Sequence, residues 1–251
     1  MKIYFFEYII ATLLIFVLWS CELDSPLNNN SRAPAIKNET KWKISNNYET
    51  KLYKIYVKEY LSNGKLSKLT EFLQSGDTNS ISQFSYGNNI SYEETKFFNG
   101  DHLIDSVLKN IYIHNPYGKI ERKISLSSEG DTSFIIEYSY DQKGNLIRKI
   151  HKDLVSQISF VTDIHYQYNN NGDIVGRFIN PNLNGTYESR DSIAYQSGGI
   201  KVELYNYNQE GKISLIYTYF YNKFGFIYKE FQSSKDGKII GKYEYDYSYW
   251  N

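Results

Sequence analysis

Cysteine is almost missing from this chain of 251 residues. It occurs once, at position 21, so no intrachain disulfide can brace a fold and no thiolate metal cluster can form. Core burial has to do that work. Proline occurs four times and methionine once. Neither charge dominates: 28 basic residues balance 28 acidic ones and no long basic block occurs, so attraction to nucleic acid is not the expected driving force. Long apolar runs are missing too. The uncharged stretch from Tyr8 to Ser20 is too short to cross a bilayer comfortably, since a helix needs about 20 apolar residues to do so.

Signatures of catalysis are equally scarce. The four histidines, His102, His114, His151 and His165, are far apart and never take the short spacings of a metal site. No nucleophile elbow, Walker loop or dinucleotide-binding glycine pattern occurs. The run Asn169-Asn170-Asn171-Gly172-Asp173 superficially suggests a calcium loop, but Gln167 stands at the first ligand position and Phe178 where a bidentate Glu is needed. It reads better as a hairpin turn. No catalytic residue, metal site or cofactor is assigned, and the chain is not expected to be an enzyme.

What the chain has in quantity is tyrosine, 26 residues. Tyrosine suits strands, where its ring packs on a pleated surface and its hydroxyl reaches water or a partner. Many of these residues sit in a recurring phrase: two aromatics two apart, a polar turn, a glycine, an aliphatic residue. The clearest copies are Tyr138 to Leu146, Tyr166 to Ile174, Tyr205 to Ile213 and Tyr219 to Ile227, with weaker ones at Lys58 to Leu66 and Tyr112 to Ile120. Aromatics at i and i+2 share one face of a strand. Asp or Asn then opens a type I turn, and the glycine three positions later takes the left-handed conformation that returns the chain through a bulge. Further turn signals at Gly76, Gly100, Gly130, Gly185, Gly198 and Gly237 bring the interval to about 12 to 14 residues, one strand and one turn. The expected fold is all-β: an antiparallel meander of repeated hairpins, roughly a dozen or more strands, in an open, twisted or curled sheet.

Two resemblances follow from these residues. Tyr140-Asp141-Gln142-Lys143-Gly144-Asn145-Leu146 matches the unit of the YD or RHS repeats of bacterial surface and secreted proteins, and the other copies are degenerate versions of it. The likeness extends from about Tyr53 to Tyr249 and implies a long twisted antiparallel sheet; the chain has no room for the enclosing shell or toxin domain of large family members. The N-terminus, with Leu18-Trp19-Ser20-Cys21 closing the apolar run, resembles the lipobox of bacterial lipoproteins, with bulky Trp19 as a departure. That resemblance implies a signal peptide over 1–20 and acylation of Cys21, which makes the membrane a partner through lipid and the bacterial envelope, the outer membrane above all, the location. Residues 21–41, rich in Asn, Ser and Pro, have too little apolar surface to fold and read as a disordered tether. The repeat domain is expected over 42–251.

The C-terminal strand adds one candidate site. Alternation puts Tyr243, Tyr245, Tyr247 and Tyr249 on one face, with Lys242, Glu244, Asp246 and Ser248 on the other. Exposed, the tyrosines would form a platform for sugar rings or a protein contact; buried, they form a core ladder, and the need to pin a terminal strand favours the ladder. An outer-membrane barrel also ends in an aromatic strand, yet Lys149, Glu203 and Lys229 interrupt faces that lipid would require to be apolar. The resulting expectation is a surface binding or adhesion lipoprotein with a glycan or protein ligand. A structural scaffold of the envelope is the alternative, and an envelope hydrolase ranks third.

Overall fold

A computed structural model of the protein describes residues 34–45, 50–181, 189–195, 201–207 and 212–250. The signal segment, Cys21 and most of the tether lie outside the described residues.

The described chain is all-β, with sixteen strands in one antiparallel meander. In order they are β1 (Ile36–Ile44), β2 (Lys51–Tyr60), β3 (Leu66–Phe72), β4 (Thr78–Tyr86), β5 (Ile90–Phe98) and β6 (Ile104–His114). Next come β7 (Ile120–Leu126), β8 (Thr132–Tyr140), β9 (Leu146–Asp153), β10 (Ile158–Tyr168) and β11 (Ile174–Pro181). The last five are β12 (Ser189–Tyr195), β13 (Lys201–Tyr207), β14 (Ile213–Tyr221), β15 (Ile227–Ser234) and β16 (Ile239–Tyr249). Each strand pairs with its neighbours in sequence, and the sheet curls until β1 also pairs with β16, closing a barrel. The backbone continues this seam past the strands, where Trp250 N–H donates to the Ala35 carbonyl at 3.0 Å.

The repeat domain starts earlier than Trp42. Asn38, Glu39 and Thr40, which composition assigns to the tether, are laddered to Ser248, Tyr247 and Asp246 on one side and to Glu59, Lys58 and Val57 on the other. Backbone pairing on both edges orders a segment whose side chains alone would not.

The described turns follow the expected chemistry except at Gly100, where His102 at φ +59° takes the left-handed position and donates to the Asn99 carbonyl at 3.0 Å; Gly185, Gly198 and Gly211 lie outside the described residues. Asp141 accepts the Asn145 N–H on its carboxylate at 2.8 Å, while Gly144, at φ +84°, donates to the Asp141 carbonyl at 3.0 Å. Asn169 repeats the arrangement, accepting Asn171 N–H at 3.0 Å and Asp173 N–H at 2.9 Å, so the calcium-like run is a hairpin turn. Register shifts at Ser139/Tyr140 and Gln167/Tyr168 mark the bulges.

Closure reveals that the repeat is a pair of strands. The even-numbered strands all finish at the end of the barrel where the described chain starts and stops, here the near end. Their last residues are Tyr60, Tyr86, His114, Tyr140, Tyr168, Tyr195, Tyr221 and Tyr249, spaced 26 to 28 residues apart. Eight hairpins of this length make the sixteen strands. Among the described residues four of them share a clasp at the near end: Tyr86, Tyr140, Tyr166 and Tyr247 each donate a hydroxyl to the carbonyl 20 residues earlier, on Leu66, Ile120, Leu146 and Ile227, at 2.7, 2.7, 3.0 and 2.6 Å. Each acceptor stands just after a turn, at the start of the preceding strand.

Most of the buried residues lie inside, although Thr70 and Thr218 are buried on the outer wall. Ser80, Ser82, Glu93, Asn110, Tyr112, Lys123, Ser125, Ile136, Ile164 and Glu230 are buried and lie on the inner wall by register. The outer wall carries cross-strand ion pairs. Lys68 pairs with Glu59 at 3.0 Å, Lys109 with Glu94 at 3.8 Å, Lys152 with Glu137 at 2.7 Å, and Arg148 with Asp163 at 2.6 Å, while Lys96 meets Glu94 within β5 at 3.4 Å. Of the three residues that argued against a lipid-facing wall, Lys229 and Glu203 are on the outside by register, but Lys149 faces inward. One apolar row crosses the outside, Tyr92–Ile111–Ile124–Ile135, and it runs into Lys152. Rows on either side hold Glu94 and Lys109, and Arg122 and Glu137. Same-face rows are about 7 Å apart along a strand, whereas a lipid-facing band is about 25 Å tall. Strands of 11 residues are long enough to span a membrane, and among the described residues ion pairs interrupt the outer wall along that length.

Candidate functional site

Alternation within each hairpin turns its polar and charged residues of one parity to the outside and its aromatic phrase to the inside, so the inner wall is where the distinctive residues gather. Three carboxylates organise it. Glu93 on β5 accepts from Asn110 at 2.7 Å, from Tyr112 at 2.5 Å and from Thr95 at 3.2 Å. Ser125 donates to the Asn110 amide oxygen and Ser82 bonds Thr95 at 2.7 Å, so this network crosses from β4 to β7. Glu39 on β1 accepts from Tyr56 at 2.6 Å, Lys58 at 3.1 Å and Tyr60 at 3.3 Å. Glu230 on β15 accepts from Lys41 at 2.8 Å, Tyr245 at 2.5 Å and Gln232 at 2.9 Å. These acids satisfy the criterion that lets a charge be buried, a cation or several donors on every one.

The titration of these groups follows from their partners. Burial alone would raise the Glu230 carboxyl, yet the Lys41 charge and the donors on it hold it below the usual range. Burial pushes Tyr245 up, and the negative charge of Glu230 pushes it further. Tyr56 is raised by burial and then by Glu39, and Tyr112 by burial and then by Glu93. Tyr243 is pushed up to about 12, mostly by burial. The tyrosines remain protonated donors at neutral pH.

The four C-terminal tyrosines stand on the inner wall of β16, next to the seam. Tyr245 is tied to Glu230, Tyr247 to the Ile227 carbonyl, and Tyr243 lies 3.4 Å from the Gln232 side-chain oxygen. The Lys41 ammonium lies over the rings of Tyr243 at 4.4 Å and Tyr245 at 5.2 Å, and Lys43 lies over Tyr243 at 4.4 Å. Tyr249 stacks against Phe226 at 6.3 Å. They form a ladder joining the last strand to the first, and any ligand reaching them would do so from inside the barrel.

The histidines are dispersed as the sequence indicates. His165 is exposed on the outer wall, His102 lies in a turn at φ +59°, His114 bonds Ser91 at 2.8 Å, and His151 sits between the rings of Phe134 and Phe160 at 5.0 and 6.2 Å. Among the described residues no group of three or more potential metal ligands comes together. Glu39, Glu93, Glu230, Lys41 and Lys149 escape motif reading, although each shares the parity of an aromatic in its own hairpin or the one beside it.

No family model matches the chain, and no curated protein does. Solved structures do. A porin-like protein from Bacteroides uniformis superposes with a TM-score of 0.58 at 12% identity, over 86% of this chain and 99% of that one. A porin-like protein from Bacteroides vulgatus matches at a TM-score of 0.39 and 11% identity over 86% and 99%. A toxin complex, TcdB2-TccC3-Cdc42, matches at 0.25 and 11% over 81% of this chain and 15% of that one. At such identities the first of these likenesses shows a shared fold, and the chain is an all-β antiparallel barrel of the kind found in that porin-like protein.

Proposed function

We propose that the protein is an envelope lipoprotein, held to a membrane by lipid on Cys21, whose barrel stands in water and serves as a surface binding or adhesion module. The observation that carries this reading is the division of the two walls, with ion pairs outside and tyrosines, carboxylates and lysines inside. Burying charged side chains in lipid costs about 2 to 4 kcal/mol for Arg or Lys at the midplane, so a wall with several is suited to water. An inner wall of tyrosines with fixed hydrogen-bonding groups is suited to a sugar, whose apolar face stacks on rings while its hydroxyls meet polar partners. The porin-like fold of the neighbour supports an envelope setting.

The anchor is tested by growth with a fatty-acid analogue. Label is expected on the native chain, and Cys21→Ala should lose it and pass to the soluble fraction. Retention of unlabelled Cys21→Ala protein in membranes washed at high pH would overturn the reading in favour of a lipid-embedded barrel. Binding is tested with the full chain on a panel of neutral and acidic oligosaccharides.

A second reading, a scaffold without a small ligand, is favoured by the far end of the barrel. Leu52, Leu73, Leu103, Leu154 and Val155 are exposed there, Val155 at 81%, on the rim opposite the ends of the described chain. A stable partner recovered from native membranes, lost with Val155→Asp, together with an empty oligosaccharide panel, would favour the scaffold.

A further inference from the structure

A bulge interrupts the seam where the described chain begins. Ile36 pairs with Tyr249 and Asn38 with Ser248, so Lys37 has no residue opposite it on β16. An extra residue of this kind bends its strand and re-aims a side chain. Here the Lys37 ammonium lies over the Trp250 ring, 5.1 Å from its centroid. Trp250 follows β16 directly, and its backbone N–H donates to the Ala35 carbonyl at 3.0 Å. The residue is nevertheless 39% exposed. Between its ring and the turn joining β2 to β3 lies a cleft of about 480 Å³, lined by Lys37, Asn38, Glu59, Leu61, Ser62 and Trp250 together with their neighbours. Asn38 and Glu59 are opposite each other, and Glu59 pairs with Lys68 on the outer wall, so the cleft is on the outside of the barrel at its near end. Its volume falls within the roughly 300 to 1,000 Å³ of small-molecule sites.

Some groups in the cleft are already held. Glu59 has Lys68 on its carboxylate at 3.0 Å and the Ser67 hydroxyl on its carbonyl at 2.8 Å, and the Asn63 side chain accepts the Lys65 N–H at 3.1 Å. Others are not. Among the described residues the side chains of Asn38 and Ser62 and the indole N–H of Trp250 have no hydrogen-bond partner, and the Lys37 ammonium has only the ring. A second cleft, of about 300 Å³ at the far end beside Trp42, uses similar residues differently. There the Trp42 indole donates to Asp246 at 2.8 Å, and Lys51 and Lys54 lie over the ring at 4.9 and 5.4 Å. Those groups satisfy one another, whereas the near-end cleft presents donors, acceptors and an aromatic surface to whatever enters it.

We infer that the near-end cleft is a binding subsite for a neutral saccharide, with one pyranose ring against Trp250 and its hydroxyls met by Asn38, Glu59, Ser62 and Lys37. The inference rests on the binding-module reading and gives it a location outside the barrel. A pyranose offers an apolar face to an aromatic ring, and its hydroxyls both donate and accept. The lining matches both properties: an amide and a hydroxyl do both, a carboxylate accepts and an ammonium donates. Lys37 and Glu59 bring opposite charges to the cleft, so neither sign of ion is selected. A wholly apolar ligand would leave the polar lining unpaired.

The test uses the full chain carrying Trp19→Phe and Trp42→Phe, which leaves Trp250 as the one indole of the three. Maltotriose, cellotriose, mannotriose, chitotriose and the acidic trigalacturonate are titrated into it, with indole fluorescence and heat followed together. At least one neutral trisaccharide is expected to bind with a shift of the Trp250 emission, and about tenfold or more tightly than trigalacturonate. Trp250→Ala should weaken that binding about tenfold or more, and Trp250→Tyr should restore most of it. Asn38→Ala, which keeps the backbone ladder of the seam, should weaken it about fivefold and tests the same site should Trp250→Ala fail to fold. Lys109→Gln elsewhere on the outer wall should change nothing. Heat of binding with no change in Trp250 emission, and undiminished in Trp250→Tyr and Asn38→Ala, would overturn the subsite and leave the binding-module reading intact. Trigalacturonate binding as tightly as the best neutral sugar would overturn the neutral class. Failure of every sugar to bind would overturn the inference and the sugar-binding reading together.

Discussion

Buried acids and tyrosines make single residues of the inner wall sensitive to pH from both directions. Glu230 is held below the ordinary carboxyl range, so its contribution is complete above the unfolded value near 4.5 and is lost as pH falls through the lower native value. Glu230→Gln leaves Lys41 without its acid in a buried setting and should cost about 3 kcal/mol in urea unfolding at neutral pH, a difference that shrinks in acid. Tyrosines act at the other limit. Burial pushes Tyr140 and Tyr243 up to about 12, so an unfolded chain ionises first. Their contribution is complete below pH 10 and disappears as pH rises towards 12, and the share of tyrosinate absorbance that Tyr140→Phe and Tyr243→Phe remove should appear together with loss of strand signal rather than before it. The sequence displays the tyrosines openly. Glu93 and Glu230 are not legible there as buried, because a carboxylate in a strand reads as solvated until the register shows which wall it faces and which donors meet it.

At the scale of the hairpin, the turn chemistry was almost wholly legible, since Asp or Asn followed by Gly specifies its own geometry within five residues. The size of the unit was less so. Turns at both ends of the barrel carry glycine, so spacing alone suggests a unit of one strand; the clasp from a tyrosine hydroxyl to a carbonyl 20 residues earlier defines the pair. Tyr140→Phe removes the hydroxyl and keeps the ring, leaving the Ile120 carbonyl without that donor. A loss of about 1 kcal/mol is expected, with increased amide exchange confined to the near end of β7 and β8. Global exchange at the same rate throughout would show that the hydroxyl does not act locally.

For the molecule as a whole, the meander was legible and its closure was not, because nothing local records that β1 and β16 meet. Closure brings the two ends of the described chain within one hydrogen bond of each other. A circular permutant that joins residue 250 to residue 35 through a short glycine linker and opens the turn at 127–131 should therefore fold, with a Tm within a few degrees of the parent. Deleting 239–251 should instead give an aggregating species, since it exposes β1 and β15 as edges. The same seam sets the order in which the ladders can form. Fifteen of the sixteen join strands that are consecutive in the chain, while the seam joins residues such as Lys41 and Tyr245 across nearly the whole described sequence. Each doubling of a closed loop costs about 0.6 kcal/mol, so the seam bears roughly 2.4 kcal/mol more than a hairpin of a dozen residues. It should be the last ladder to form in a folding chain and the first to part under load. The interval before it forms leaves two sticky borders uncovered, so a chain newly delivered across a membrane would be governed by how quickly its first and last strands find each other, a matter of search time rather than of final stability.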